Sequence, residues 1–428
     1  MRVHEGAPVE RALEQIFRSA RDLGGNERSE IADALFDFVR ERRRIDDLLQ
    51  RAVRACGRRF EVIEAPIAMR LRLLAFFADR GASLDELAAR DGYAFRRVAG
   101  LFERIVGKQV PEPKRRTPAE ALAVRWSLPD WFAERLVATQ GESGAGAVAQ
   151  ALHGRAPLTL RVNTLKCDRD SARRRIREDH GLEVEPTPLA PHGLILGERV
   201  SIQSWPLFTE GALEVQDEGS QLIALALGAR PGETVLDACA GAGGKTLALA
   251  SAMEGRGRLL AIDPDEEKLG ELKRRARRAG ITNHEALVAD LITMPKELVG
   301  RADRVLVDAP CTGSGVLRRH PLAAWELDEA KVRAFPVRQA ALLERAGDAV
   351  RPGGLVLYAT CSILPEENEA VVADVLAREP RYQPAPLSET LGAALAGALG
   401  ATWEARIGPG PGSRDPDGFY LALLRRTR

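Results

Sequence analysis

Apolar positions recur at three- and four-residue spacing through the first third of the chain. Ile16, Leu23, Ile31, Leu35, Phe38 and Val39 follow this rhythm among charges, and Ile67, Leu71, Leu74 and Phe77 repeat it. Such spacing places apolar side chains on one stripe of a helix. SLDELAA, from Ser83, sets a Glu three positions after a Ser, a capping box that predicts a helix start. PEPKRRTP (Pro111 to Pro118) interrupts the pattern and predicts a linker. From Pro8 to about Ala151 the pattern therefore predicts a helical bundle, without a Cys/His cluster, an acidic pair or a glycine-rich loop.

The period changes after Gly154. Leu158 to Val162 reads as a strand, Arg169 to Asp179 as a short basic helix, and Leu182–Val184 and Leu194–Leu196 as further strands. From Pro231 onward, apolar runs alternate with amphipathic helices. TVLDA (234–238), LLAID (259–263), ALVAD (286–290), RVLVDAP (304–310) and LVLYATC (355–361) are apolar throughout, as strands covered on both faces should be. Helices are predicted near 245–253, 265–279, 328–350 and 366–378, with Gly280 and the Pro352-Gly353-Gly354 turn stopping two of them. This alternation predicts an α/β, doubly wound, mostly parallel sheet in the order 3-2-1-4-5, with a final antiparallel edge pair near 402–407 and 419–424. Three parts follow: 1–130 helical, 131–212 a small α+β unit, and 213–428 the parallel-sheet domain.

Composition narrows the class. With 428 residues, 45% hydrophobic and 29% charged, the chain is neither disordered nor fibrous. No apolar run approaches the ~18 residues of a membrane span, and the first fifteen residues do not read as a secretory signal. Five cysteines, an odd number, do not make a disulfide scaffold. A reduced, cytoplasmic protein without membrane or metal is expected. A net charge of +1 argues against coating nucleic acid non-specifically, so any RNA contact must be local. Residues 155–179 carry a net +4 and, with Arg318 and Arg319, are the candidate phosphate contacts.

The first strand of the parallel sheet ends in DACAGAGGKT, Asp237 to Thr246. A P-loop needs Gly where Cys239 stands, and a dinucleotide fingerprint needs Gly where Thr246 stands. What remains is a small-residue loop that lets a ligand approach the backbone at a helix N-terminus. Asp263 ends the second strand, where it can accept from ribose hydroxyls, and Asp290 ends the third, where it can meet an adenine amino group. A nucleoside ligand without pyrophosphate fits, and S-adenosyl-L-methionine is the common one.

Cys311 follows the fourth strand in DAPCTGSG and Cys361 ends the fifth in YATCS. Neighbouring strands lie ~4.8 Å apart, so both thiols should converge in the ligand crevice. Two thiols beside a sulfonium suggest covalent catalysis. A thiolate adds to carbon 6 of a pyrimidine, carbon 5 becomes nucleophilic and takes a methyl group, and elimination releases the thiolate. Strand position alone does not say which cysteine attacks.

VQDEGSQ (215–221), LDACAGAGGKT (236–246), DAPCTGSGVLRRHP (308–321) and YATCSILPEENE (358–369) resemble the RNA cytosine carbon-5 methyltransferases of the NOL/NOP/Sun type. Among these the chain looks like the bacterial enzymes acting on small-subunit rRNA, whose helical N-terminal domain is similar to the antitermination factor NusB. The resemblance covers residues 130–428; the N-terminal part matches in length and helical character only. It implies a Rossmann-like class I methyltransferase domain and methylation of RNA, with 16S rRNA favoured over tRNA, and over a silent ribosome-assembly role. By the same resemblance Cys361 is the nucleophile and Cys311 assists release. Cys239, Ala240, Gly241, Ala242, Gly243, Gly244, Lys245, Asp263, Asp290 and Asp308 would line the donor pocket, with Lys245 and Asp308 also near the target base. One departure is visible: the family loop often reads AAPGGK, and Gly241-Ala242 here replaces Ala-Pro.

Overall fold

The computed structural model describes residues 13–427 except positions 14–15, 21, 58–64, 114–115, 198–199, 295, 327–328, 411 and 413. The chain divides into two compact units: Met1–Gly154 with Leu317–Glu326, and Arg155–Val316 with Leu327–Arg428. Among the described residues no helix is long and apolar enough to cross a membrane.

The first unit is helical. Phe38, Val39, Leu71 and Leu74 of the predicted stripes lie in its core, together with Ile45, Leu49, Phe76, Leu87 and Phe102, while Ile16 is exposed. The capping box at Ser83 forms: the Ser83 amide donates to Glu86 at 2.8 Å and the Glu86 amide donates back to Ser83 Oγ at 3.3 Å. PEPKRRTP ends in a second box, where Thr117 caps helix Pro118–Arg125 and Pro118 occupies the first turn, a position in which a missing N–H costs nothing. Helix Asp130–His153 also falls in this unit. So does Leu317–Glu326, which corrects one expectation. Arg318 is 2% exposed and its carbonyl accepts from Arg40 at 3.1 Å, so it is unavailable to phosphate. Leu322 packs against the helical core, and Arg42 lies over the Trp325 ring at 5.0 Å.

The second unit begins with a four-stranded antiparallel sheet of β1 (Leu158–Val162), β2 (Val184–Pro186), β3 (Gly193–Leu196) and β4 (Leu213–Val215), in the order β2-β3-β1-β4. Helix Arg169–His180 is capped by Asp168 and stopped by left-handed Gly181, and it buries Ala172 and Ile176 against this sheet. The basic stretch is less available than its charge suggests. Arg161 is buried and donates to Gln216 and Ser251; Arg175 and Arg177 pair with Glu210 and Glu183. Lys166 and Arg174 remain exposed.

The larger sheet contains β5 (Thr234–Asp237), β6 (Arg258–Asp263), β7 (His284–Val288), β8 (Ala302–Asp308), β9 (Val350–Thr360), β10 (Tyr382–Pro384), β11 (Glu404–Ile407) and β12 (Phe419–Arg426). Its order is β10-β12-β9-β8-β5-β6-β7, with β11 also paired to β12. The five strands from β9 to β7 are parallel and reproduce the 3-2-1-4-5 order. Alternate residues feed two cores, because strand side chains point to opposite faces with period two. Val235, Leu259, Ala261 and Leu306 pack on one face beneath helices Gly244–Ala252 and Glu266–Ala279; Leu236, Leu260, Val305 and Val307 pack on the other beneath helix Glu329–Ala349.

Two expectations change. Pro352-Gly353-Gly354 lies within β9, which starts at Val350 and is joined to β8 with a register shift near Ala302. The final antiparallel pair forms, β11 with β12, but β12 also pairs with β9 and β10 and so is not itself the outermost strand.

Candidate active site

The glycine loop leaves β5 at its carboxyl end and runs into helix Gly244–Ala252. Its turn is tight: the Gly243 amide donates to the Ala240 carbonyl at 2.9 Å and the Ala240 amide to Ile262 at 3.0 Å. Gly243 has φ +85°, and a Cβ there would lie 2.6 Å from Leu272. Gly241 has φ +52° with open space where a side chain would project. The Ala242 carbonyl accepts from Arg275 at 2.7 Å, which anchors the outer side of the loop. Cys239 packs against the sheet core, and burial pushes its thiol well above the ordinary range. It is therefore a neutral thiol.

Three acids surround this loop. Asp263 is 8% exposed; one carboxylate oxygen accepts from the Gly241 amide and the other from the Asp265 amide, both at 2.9 Å. It shapes the loop and still has lone pairs to offer a diol. Asp290 accepts from the Ile292 amide at 3.0 Å and pairs with Arg338 at 2.8 Å, a partner that sequence spacing did not show. Asp308 pairs with Lys245 at 2.7 Å. Burial opposes the Lys245 ammonium, but the Asp308 carboxylate, with smaller help from Cys361, holds its pKa above the ordinary value. A charged lysine is thus kept against Asp308 at the end of β8.

The two cysteines meet. Cys311 Sγ and Cys361 Sγ are 3.3 Å apart, and both are free thiols. That separation is a hydrogen bond, well beyond the ~2.05 Å of a disulfide. The environment is asymmetric: the Cys361 hydrogen bond, then burial, raise the Cys311 thiol well above its ordinary value. Either sulfur can donate the proton of this contact.

Several polar residues of the site were not read from sequence. Thr312, Ser314, Gln339, Ser362, Glu367 and Asn368 are all buried around the cysteine loops. The Gly315 amide donates to the Cys361 carbonyl at 2.9 Å, Ser314 Oγ and Ser362 Oγ are 2.9 Å apart, and Asn368 donates to the Ser362 carbonyl at 2.9 Å. Asp237, at the end of β5, is 1% exposed and accepts from Thr246 Oγ1 at 2.7 Å. Burial pushes its carboxyl up to about 7, and the neighbouring Asp308 adds to the rise. The available signal was the density of polar residues, Thr360 to Asn368, where a sheet strand enters the crevice.

The donor loop, the acids and the thiols thus line one end of the parallel sheet, the end where such folds bind ligands. Small residues with open space at Gly241, and carboxylates ending β6 and β8, fit a nucleoside that brings its own positive charge.

Comparison with known proteins gives consistent matches. The family described as 16S rRNA methyltransferase RsmB/F matches residues 224–425, and an RsmF/B-like ferredoxin-like domain matches residues 128–203. A probable ribosomal RNA small subunit methyltransferase B of Synechocystis sp. is 32% identical over 314 residues, 72% of this chain and 68% of that protein. The crystal structure of PH0851 is similar with a TM-score of 0.80 and 28% identity, covering 99% of this chain and 96% of that one. A methyltransferase homolog protein from Pyrococcus horikoshii is similar with a TM-score of 0.62 and 29% identity, over 73% of this chain and all of its own.

Proposed function

The chain belongs to the RsmB/F family of 16S rRNA methyltransferases, and from that premise we propose that it methylates carbon 5 of a cytosine in rRNA, using S-adenosyl-L-methionine and a covalent cysteine–pyrimidine adduct. The observation that carries this reading is the 3.3 Å approach of Cys311 and Cys361 beside the Lys245–Asp308 pair. S-adenosylmethionine, when bound, supplies a methyl group activated by a sulfonium. Gly241 to Lys245, with Asp263, Asp290 and Asp308, would hold it; Cys239 to Ala240 form the floor of that loop.

The residues of the chain divide the remaining work. Cys361 attacks carbon 6 as a thiolate, with the Lys245 ammonium and the Cys311 S–H stabilising its charge. The ring electrons then reside at carbon 5, which forms the new carbon–carbon bond to the methyl group as the donor's methyl–sulfur bond breaks and its sulfur leaves as a neutral thioether. Loss of the carbon-5 proton to a base restores the double bond and expels the thiolate. The Cys311 thiol, placed to donate at 3.3 Å, eases departure of that sulfur. The target base must be unpaired or flipped out, because carbon 6 is shielded within a stacked helix.

Cysteine variants test this. Cys361→Ala should abolish methylation while donor binding persists. Cys311→Ala should still attack and methylate but stall before elimination, giving a band shifted by the RNA mass on a denaturing gel; the double variant should not. Accumulation of adduct by Cys361→Ala instead would swap the two roles. No adduct from either variant, with both still methylating RNA, would end the covalent mechanism. Bisulfite sequencing of total RNA from cells with and without the gene separates rRNA from tRNA, and no cytosine losing methylation when the gene is absent would favour a silent assembly role.

A further inference from the structure

Glu367 is fully buried in the short turn Pro365–Glu367, which follows the Cys361 loop. A carboxylate removed from water must have its lone pairs filled. Oε1 accepts from the Thr312 amide at 2.9 Å and from Gln339 Nε2 at 3.1 Å; Oε2 accepts from Thr312 Oγ1 at 2.6 Å and from Ser362 Oγ. These donors are all neutral, so they satisfy the oxygens without cancelling the charge. Thr312 directly follows Cys311 and Ser362 directly follows Cys361. One carboxylate therefore grips the residue beside each sulfur, across two loops that the sheet alone brings only to neighbouring strands.

We propose that Glu367 is a positioning residue for the thiol pair: it clamps the two cysteine loops together through Thr312 and Ser362, and its charge, set closer to Cys311's loop, makes the two sulfurs inequivalent. The proposal deepens the function given above and rests on it only for the catalytic meaning of the thiolate. The charged and titratable surroundings agree. On one side of the pair, the Lys245 ammonium is held by Asp308 and, to a smaller extent, by Cys361. On the other, the Glu367 charge is among the influences that raise the Cys311 thiol, after the Cys361 hydrogen bond, burial and the Cys361 charge. Tyr358, buried in β9, donates its hydroxyl to the Glu367 carbonyl at 2.6 Å and holds the turn in place. The acid thus supplies an electrostatic asymmetry that two chemically identical side chains lack.

Alkylation by iodoacetamide in the full chain, without RNA or donor, reads this directly. Rates at Cys311 and Cys361 are followed separately by peptide mass spectrometry from pH 6 to 10, since only the thiolate reacts. The wild type should alkylate Cys361 in preference to Cys311. Glu367→Gln keeps the shape, because the Thr312 and Ser362 hydroxyls can turn lone pairs toward an amide, but removes the charge. The Cys311 midpoint should fall by about one pH unit, narrowing the preference for Cys361 roughly tenfold. Gln339→Lys places an ammonium against the same carboxylate without altering Glu367, and should shift the ratio in the same direction. A lower melting temperature with an unchanged ratio in both variants would make Glu367 a folding residue only and overturn the proposal. Because alkylation needs no substrate, a ratio shift in a protein that methylates no cytosine would sustain the proposal while removing the proposed reaction.

Discussion

Asp237→Asn should stabilise the second unit at neutral and alkaline pH while changing little in acid. The carboxyl is 1% exposed and titrates at about 7, chiefly through burial, with Asp308 raising it and Thr246 and Lys245 opposing. In the unfolded chain an Asp titrates near ~3.9. Between those values the native state holds a proton that the unfolded state has released, so stability falls as pH rises through this window. About three pKa units at ~1.4 kcal/mol each set an upper figure of roughly 4 kcal/mol, present below pH ~4 and lost above pH ~7. Asn keeps an oxygen for Thr246 Oγ1 and never ionises. Calorimetry at pH 5 and pH 8 should show the variant gaining on the wild type by up to roughly 10 °C between the two conditions, at ~2–4 °C per kcal/mol. Parallel pH dependences in the two proteins would refute the reasoning, because groups elsewhere contribute equally to both.

Other outcomes follow from particular contacts. Asp263→Ala should weaken S-adenosylmethionine binding roughly ten- to a hundredfold, since a charged hydrogen bond contributes about 1.5–3 kcal/mol and the Gly241 amide loses its acceptor as well; calorimetric titration showing wild-type affinity in a folded variant would remove Asp263 from the site. Arg318→Ala should destabilise the helical unit by about 1–3 kcal/mol and leave the salt dependence of RNA affinity untouched, measured by fluorescence anisotropy across a salt series. In the same assay, Lys166→Ala or Arg174→Ala should each flatten the log–log slope by about 0.7 if that residue meets a phosphate on a single strand.

The parallel core was legible because its signals are local and repeated. Apolar runs mark β5 to β9, and Asp265 and Gly280 begin and end the helix Glu266–Ala279 as the chain's punctuation suggests. The convergence of Cys311 and Cys361 followed from strand order alone. Burial of charge was not legible. Arg161 and Arg318 were candidate phosphate contacts and Glu367 one of several glutamates in its segment, and each is interior with a hydrogen-bond partner distant in sequence: Gln216, Arg40 and Thr312 respectively. β10 was missed for a simpler reason, being three residues that end in Pro384, a length and composition that carry no periodicity. The division of labour between the thiols was silent in strand position. The proposed part of Glu367 in it was silent too, because a helix predicted near 366–378 does not mark one of its glutamates as interior.

Leu317–Glu326 has a genetic consequence. The polypeptide leaves the loop bearing Cys311, contributes ten residues to the helical unit, and returns to the second one. No single cut in the gene separates the two modules. Removing codons 1–154 would strand Leu317, Arg318 and Leu322 without the helices that cover them, directly downstream of the loop bearing Cys311. Shuffling of this methyltransferase module onto another N-terminal partner would therefore have to replace the ten-residue excursion at the same time, so the two halves of the gene are expected to travel together.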